Sequence, residues 1–519
     1  MDIHPNSTGE RPPPLKFETL HIVLNFLGST FFVLAGILLL PLLCALLSGE
    51  IHDLQIVKAF LYPFILSVLL GILLRHSFHQ GTPGTLQAML ICSLGWIGFS
   101  AVGALPFVFG IDATFLDSFF EAMSGFTTTG ITLLTGLDEM PKTILFWRSF
   151  TQWLGGIGIL TFFLVVSYRG KRIHHLFGAE SHKIKTSRPV PGLANTVKIL
   201  YTIYVGFTFV IAAALFLAGM NPFDSVCHSF TALSTGGFSP HDASIGYYKM
   251  AGYPHVIIME YILIAGMVLG GINFLVHYRV LNRNIKSLWD NTEMRYFWGF
   301  IAAFSVLIFV ERILSVPLTG NPGIWIQVEE NFRIVIFQVV SIMTTTGFGT
   351  QDIGSPFFGG VARQLFLVMM FTGGCVGSTG GGFKVLRIAI LGKLIGREVY
   401  RSRAPRQAIS TLIVDGKPVD MDEIQRVSGL FFAWIALILC GGVITAFLSH
   451  YNGYVSFSGM FSAVGNIGPS YIPVAEMALL NPVVKIVYIF GMLAGRLEIL
   501  PVLLLFSVRA WYPKNVRRD

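Results

Sequence analysis

The sequence predicts an all-α polytopic membrane protein, with four span–pore-loop–span repeats around a central pore and an extra N-terminal helix pair. Three observations carry that prediction. Hydrophobic residues make up 53% of the 519 and charged residues only 12%, and the mean hydropathy is +0.67. That charged fraction is about half that of an ordinary soluble domain, and a soluble fold could not cover so much apolar surface, so membrane lipid must face part of it. Apolar runs long enough to cross a bilayer recur ten times. Between them, on one side, four shorter apolar segments each lead into a small-residue stretch rich in Thr and Gly.

A crossing takes about 20 apolar residues for roughly 30 Å of hydrocarbon. The runs lie at about 19–48, 56–74, 85–109, 144–168, 196–219, 255–278, 294–317, 360–395, 427–449 and 481–509. The run that starts at 19 is too long for a signal h-region, so no cleaved leader is expected. The connecting segments alternate in charge. One set holds Lys171, Arg172, Lys183, Lys185 and Arg188, then Arg279, Arg283 and Lys286, then Arg397, Arg401, Arg403 and Arg406, then Arg509, Lys514, Arg517 and Arg518. The other holds Asp112, Asp117, Asp138, Glu139, Asp224, Asp242, Glu329, Glu330 and Asp352. The excess of Lys and Arg puts both termini in the cytoplasm, and ten spans agree with that parity. The net charge of +8 therefore reflects orientation. It does not form one basic face, and no nucleic-acid partner is expected. Cys44, Cys92, Cys227, Cys375 and Cys440 form no CxxC pair and so no disulfide framework or zinc pattern.

After the third, fifth, seventh and ninth spans comes an apolar segment of about 12 residues. It is too short to cross, but it can enter as a short helix and return as extended chain, a form tolerated at membrane depth only where it lines a water-filled cavity. The chain thus divides into a cytoplasmic tail (1–18), an extra helix pair (19–80) and four pore repeats (81–185, 186–290, 291–408 and 409–519). The first loop reads Ser124-Gly125-Phe126-Thr127-Thr128-Thr129-Gly130, and the second Ser234-Thr235-Gly236-Gly237-Phe238. The third reads Thr344-Thr345-Thr346-Gly347-Phe348, and the degenerate fourth Gly465-Asn466-Ile467-Gly468-Pro469. Matching Gly130, Gly236, Gly347 and Gly468 gives separations of 106, 111 and 121 residues, the signature of an internal duplication. The candidate ion ligands are Thr128, Thr129, Gly130, Ser234, Thr235, Gly236, Thr345, Thr346, Gly347, Asn466, Ile467 and Gly468.

These residue types suit a dehydrated monovalent cation. Potassium gives up its water only when oxygens replace it, and backbone carbonyls do so without net charge. Glycine reaches backbone angles that let carbonyls point inward and chains approach closely. No acidic residue lies in the four stretches, which argues against a divalent-cation ring. The short helices aim their partially negative C-terminal ends at the loops.

On these loops, on the two extra spans and on Gly495-Arg496-Leu497-Glu498, the chain resembles the Trk/Ktr/HKT superfamily of potassium transporters. It is most similar to the TrkH/TrkG branch, over about residues 19–509. The resemblance implies potassium as the transported ion and no cofactor in this chain. It also implies a place in a bacterial inner membrane, a homodimer, and a cytosolic nucleotide-binding Trk regulatory subunit docked on the basic loops. In relatives that admit sodium the first-loop glycine is often serine. Here it is Gly130, so the resemblance implies a preference for potassium.

The eighth run is interrupted by Gly373, Gly374, Gly377, Gly380, Gly381 and Gly382, six glycines in 13 residues. Each costs about 1 kcal/mol relative to Ala inside a helix, so the stretch should unwind. A phosphate-binding loop is excluded because Phe383 stands where its Lys belongs and no strand precedes it. The resemblance makes this segment an intramembrane gating loop below the filter. Arg496, about 24 Å along the last run, should face the pore or a partner at that depth. In relatives an arginine there projects into the cavity beneath the filter, and the competing role is an interhelical salt bridge. Arg148, Glu260, Glu311, Arg312, Arg333 and Arg363 read as structural anchors. A proton- or sodium-coupled symporter on the same scaffold stays open beside a gated channel. A membrane-embedded enzyme would need a catalytic cluster that the sequence does not show.

Overall fold

The computed structural model describes residues 18–169, 193–316, 323–405 and 410–511. The expected tail up to residue 17 lies outside the described residues, as do Lys171, Arg172, Lys183, Lys185, Arg188, Arg406, Lys514, Arg517 and Arg518. The described chain is helical apart from loops and one two-residue hairpin, Ile413–Val414 with Lys417–Pro418, an element absent from the sequence expectation.

Among the described residues, six helices are long and apolar enough to cross a membrane: Glu18–Ser48, Leu54–Ser77, Thr85–Ile111, Asn195–Leu217, Thr292–Ser315 and Met421–Leu448. A seventh span is the pair Val256–Gly271 and Phe274–Leu281, bent by 106°. The bend follows Gly270 and Gly271, and Asn273 restarts the helix by accepting a bond from the Leu275 amide at 2.8 Å. The other three expected spans are helical but depart from that simple form. Lys142–Arg169 is one continuous helix that carries Arg148. The eighth run is split into Gly360–Thr372 and Val385–Arg401, and the tenth into Pro482–Arg496 and Leu500–Leu505. Leu47, Leu217, Leu314 and Phe447 project outward from the long helices, each more than 80% exposed, as a lipid-facing surface requires. The chain is a membrane protein.

The N-terminal pair is tied into this body. Asn25 Nδ2 donates to the carbonyls of Arg75 and Phe78 at 3.2 and 2.7 Å, joining the two helices near their ends. Glu50 accepts from the amides of Lys142 and Thr143 at 2.7 and 2.9 Å, so its carboxylate caps the positive N-terminus of the Lys142–Arg169 helix.

Four shorter helices lie between the long ones: Phe115–Phe126, Pro222–Leu233, Ile324–Met343 and Gly453–Gly465. Three start from a polar cap whose side chain accepts an orphan amide, Thr114 from Asp117, Asn221 from Asp224 and Asn452 from Val455. The third has no such cap. It runs for 20 residues where about 12 were expected, because its first turns, with Trp325 and Ile326 exposed, extend beyond the packed body. The charges of Glu329, Glu330 and Arg333 had hidden that extension as a polar break.

Candidate functional site

The four short helices end at Phe126, Leu233, Met343 and Gly465, and each chain then turns in the same way. Five residues beyond a Ser or Thr in its last turn, an amide bonds back to that residue's carbonyl. The pairs are Thr129 to Ser124, Gly236 to Thr231, and Thr346 to Ser341, each at 2.8 Å, and Ile467 to Ser462 at 3.1 Å. The residue before each of these amides is left-handed: Thr128 (φ +50°), Thr235 (+54°), Thr345 (+61°) and Asn466 (+53°). A β-branched threonine is seldom found there, and such strain concentrates where function demands a shape. The residue after each amide is a positive-φ glycine: Gly130 (+84°), Gly237 (+78°), Gly347 (+88°) and Gly468 (+108°).

This register differs from the sequence alignment by one residue in the second loop. Gly237, not Gly236, stands with Gly130, Gly347 and Gly468, while Gly236 takes the place of Thr129, Thr346 and Ile467. Ser234 accordingly falls one step earlier, beside Thr127, Thr344 and Gly465. The signal was available in Gly237-Phe238, which matches Gly347-Phe348.

The four loops meet in cyclic order. A Cβ built on Gly130 would collide with the carbonyl oxygen of Gly236, one on Gly237 with that of Thr346, and one on Gly347 with that of Ile467. One on Gly468 would lie 3.2 Å from the carbonyl oxygen of Thr129, which closes the circle. Hydroxyls brace the ring from behind: Thr127 Oγ1 meets Thr129 Oγ1 at 2.7 Å, and Thr344 Oγ1 meets Thr346 Oγ1 at 2.8 Å. Asn466 Nδ2 donates to Thr129 Oγ1 at 2.8 Å, joining the fourth loop to the first. Gln152 fixes the second loop by donating to the Gly236 carbonyl at 2.8 Å and accepting from the Phe238 amide at 3.0 Å. Among the described residues Thr128 Oγ1 and Asn466 Oδ1 are buried with no hydrogen-bond partner, Asn466 Oδ1 lying against Gly381 and Gly495.

A cavity of about 460 Å³ opens onto one side of it, lined by Gly130, Gly237, Gly347 and Gly468 and also by Asp242 and Asp352. Its wall is held by Arg148, which pairs with Glu121 (2.9 Å), donates to the Ser239 carbonyl (2.9 Å) and stacks on Phe238 at 4.2 Å. Farther out, His241 bridges two carboxylates, Asp138 through Nδ1 and Asp224 through Nε2 (2.9 Å), and stacks on Tyr247 at 3.5 Å. Burial pulls the His241 pKa down, but the bonds to Asp224 and Asp138 outweigh it, and the group titrates above the ordinary His range. The other expected anchors are also engaged. Arg333 pairs with Glu260 and Glu329, Glu311 accepts the Val361 and Ala362 amides, Arg363 donates to backbone carbonyls, and Arg312 donates to Asn331 and stacks on Phe357. Among the described residues no His, Cys, Asp and Glu group could hold a metal ion.

On the other side of the ring lies the glycine-rich break at 373–384. Gly373 and Gly382 have φ of +71° and +80° and lie so close that a Cβ on either would strike the other's backbone, so the segment doubles back as a hairpin-like loop. Thr379 Oγ1 donates to the carbonyls of Leu233 (2.8 Å) and Gly270 (3.0 Å), and the Gly381 amide donates to Thr345 Oγ1 (2.7 Å). A Cβ on Gly381 would meet Asn466, and one on Gly380 would meet the Thr344 carbonyl. The loop is thus pressed against three of the four turns, while Gly374, packed on Gly380, faces the Gly271 carbonyl and Gly377 lies against Asn273.

Arg496 is 3% exposed. Its Nη1 donates to the Thr379 carbonyl at 2.6 Å and its Nη2 to the Gly155 carbonyl at 3.0 Å, while Nε has no partner among the described residues. It does not stand inside a continuous helix as the sequence suggested. It ends the Pro482–Arg496 helix, and Glu498 and Ile499 take positive φ just beyond it. Arg496 makes no ion pair among the described residues. Glu498 instead pairs with Arg387 at 2.6 Å.

Residues 55–518 match the TrkH family, described as cation transport protein. The chain is 34% identical over 502 residues to the Trk system potassium uptake protein TrkH of Salmonella typhimurium, covering 94% of this chain and 99% of that one. It is 33% identical over 509 residues to the protein of the same name from Vibrio parahaemolyticus, covering 96% and 100%. The crystal structure titled as the potassium transporter TrkH from Vibrio parahaemolyticus superimposes with a TM-score of 0.82 at 30% identity, covering 95% of this chain and 99% of that one.

Proposed function

The chain belongs to the TrkH family of cation transport proteins, and from that premise we propose that it takes up potassium through the ring formed by its four loops. The closed cycle of glycines against carbonyls carries this reading, since it supplies inward oxygens in place of the ion's water without a fixed carboxylate. Thr128, Thr235, Thr345 and Asn466 shape the ring, and Gly130, Gly237, Gly347 and Gly468 let the four backbones approach. Loop 373–382 is the gate beneath it, and Arg496, bonded to Thr379, both latches that loop and opposes a cation there. This favours the gating role of Arg496 over a salt bridge between helices. The repeats 81–185, 186–290, 291–408 and 409–519 are the units whose loops build the ring.

Uptake is passive: at 100 mV, inside negative, each entering charge gains about 2.3 kcal/mol. We place the chain in a bacterial inner membrane with both termini cytoplasmic, as a homodimer that works with a cytosolic nucleotide-binding Trk regulatory subunit. The relatives' Trk-system names support that partnership. Selectivity tests the reading. A Ser side chain at Gly130 would press on the Gly236 carbonyl, so Gly130→Ser should lower flux, and what flux remains should be blocked by sodium about as well as by potassium; residual flux with unchanged preference for potassium would contradict the ring.

A further inference from the structure

The gating loop is held at a second point, away from the ring. The amide of Val376 donates to Glu293 Oε1 at 2.7 Å. Glu293 is 8% exposed and lies in the first turn of the Thr292–Ser315 helix. One residue earlier, the amide and the hydroxyl of Thr292 both donate to Asp415 Oδ1, at 2.6 and 2.7 Å.

Asp415 and Gly416 are the turn of the Ile413–Val414/Lys417–Pro418 hairpin, with φ of +50° and +74°, the left-handed pair that a two-residue hairpin demands. The turn is exposed, while Leu412 and Val414 behind it are buried. The hairpin belongs to the basic connection between the eighth and ninth spans. An exposed turn is therefore joined to the gating loop by two hydrogen-bonded steps through a single helix terminus. Neither Glu293 nor Asp415 touches the ring.

We infer that Glu293 is a positioning residue for the gate and that Asp415 links it to the cytoplasmic surface, so that displacing the hairpin releases the loop. The inference rests on the pore reading above. It gives a cytosolic protein a mechanical handle on the gate, a route independent of Arg496.

The test is rubidium-86 uptake into proteoliposomes by the full chain and by Glu293→Ala, Glu293→Gln and Asp415→Ala, with thermal stability measured alongside. Glu293→Ala and Asp415→Ala should each raise flux about fivefold to tenfold, the factor that one ordinary hydrogen bond carries in a two-state equilibrium. Glu293→Gln retains an acceptor oxygen and should stay near the parent. Because the two groups act in series, the double alanine variant should not exceed the larger single effect. Preference for potassium over sodium should not change. A chain lacking residues 373–382 calibrates the open pathway. If it conducts while Asp415→Ala, an exposed change, and Glu293→Ala gain nothing, or if their effects simply multiply, the linkage is wrong. If the loop-deleted chain carries no rubidium at all, both the linkage and the pore reading fall.

Discussion

The ring and the gating loop are both rich in glycine, yet they are held by different forces. In the ring, glycines at positive φ lie against carbonyls of the next loop, so the absence of Cβ atoms fixes the shape. The gating loop packs Gly373 on Gly382 in the same way and bonds through its backbone to Gly270, Gly271 and Phe274, and side-chain bonds with Thr379, Thr345, Arg496 and Glu293 add to that hold. Sterics of that kind are all or nothing, whereas side-chain bonds are each worth about 1–3 kcal/mol and can be removed one at a time. On the proposed reading, the difference separates a selector that must not move from a gate that must.

The largest expected effect falls on the ring. Gly237→Ala combines a strained φ with a collision against the Thr346 carbonyl, costs that add to several kcal/mol. It should abolish rubidium flux, or reduce it by about a hundredfold or more. Gly236→Ala avoids the left-handed φ but drives into Cδ, Oε1 and Cβ of the buried Gln152, so its loss should be smaller than that of Gly237→Ala. Equal losses at the two positions would break the register and return the second loop to the alignment through Gly236.

Next comes the gate. Arg496→Gln removes a charge and at least one of two bonds to the Thr379 and Gly155 carbonyls, and should raise flux about tenfold at unchanged selectivity. Lower flux with intact folding would make Arg496 a brace of the open pathway instead. A loss of potassium preference would merge gate with selector and end the comparison.

The smallest effect lies outside both regions. His241 holds its proton above the ordinary range because Asp138 and Asp224 flank it. Such a raised pKa contributes stability that is full below about pH 6.5, the unfolded value, and is lost as pH rises through the folded value. His241→Asn should therefore lower the melting temperature by about 1–2 °C at pH 6, and that deficit should shrink toward pH 9. A deficit that grows with pH would refute the bridge.

The expected runs match helices in the structure because a bilayer demands about 20 apolar residues, a constraint visible in composition alone. The interruption at 373–382 was legible for the same kind of reason, since six glycines cannot stay helical. Other features were hidden. The second loop offers two adjacent glycines, and only the backbone decides that Gly237 takes the left-handed place. The break after Arg496 occurs at Leu497-Glu498-Ile499, just ahead of Pro501 in the first turn of the next helix, a helix-breaking signal hidden within the apolar run. The Asp415-Gly416 turn carries a plain hairpin signal, overshadowed by the stronger apolar pattern around it. The pairing of Glu293 with Val376 joins residues 83 apart in sequence, and no local pattern encodes it.

The most direct test of the central reading is rubidium-86 uptake into proteoliposomes holding the purified chain with residues 373–382 removed, with potassium and sodium as competitors. Uptake blocked by potassium and indifferent to sodium is the predicted result, since the ring selects without the gate. Absence of uptake, or equal block by sodium, would contradict a selective ring built from these four loops.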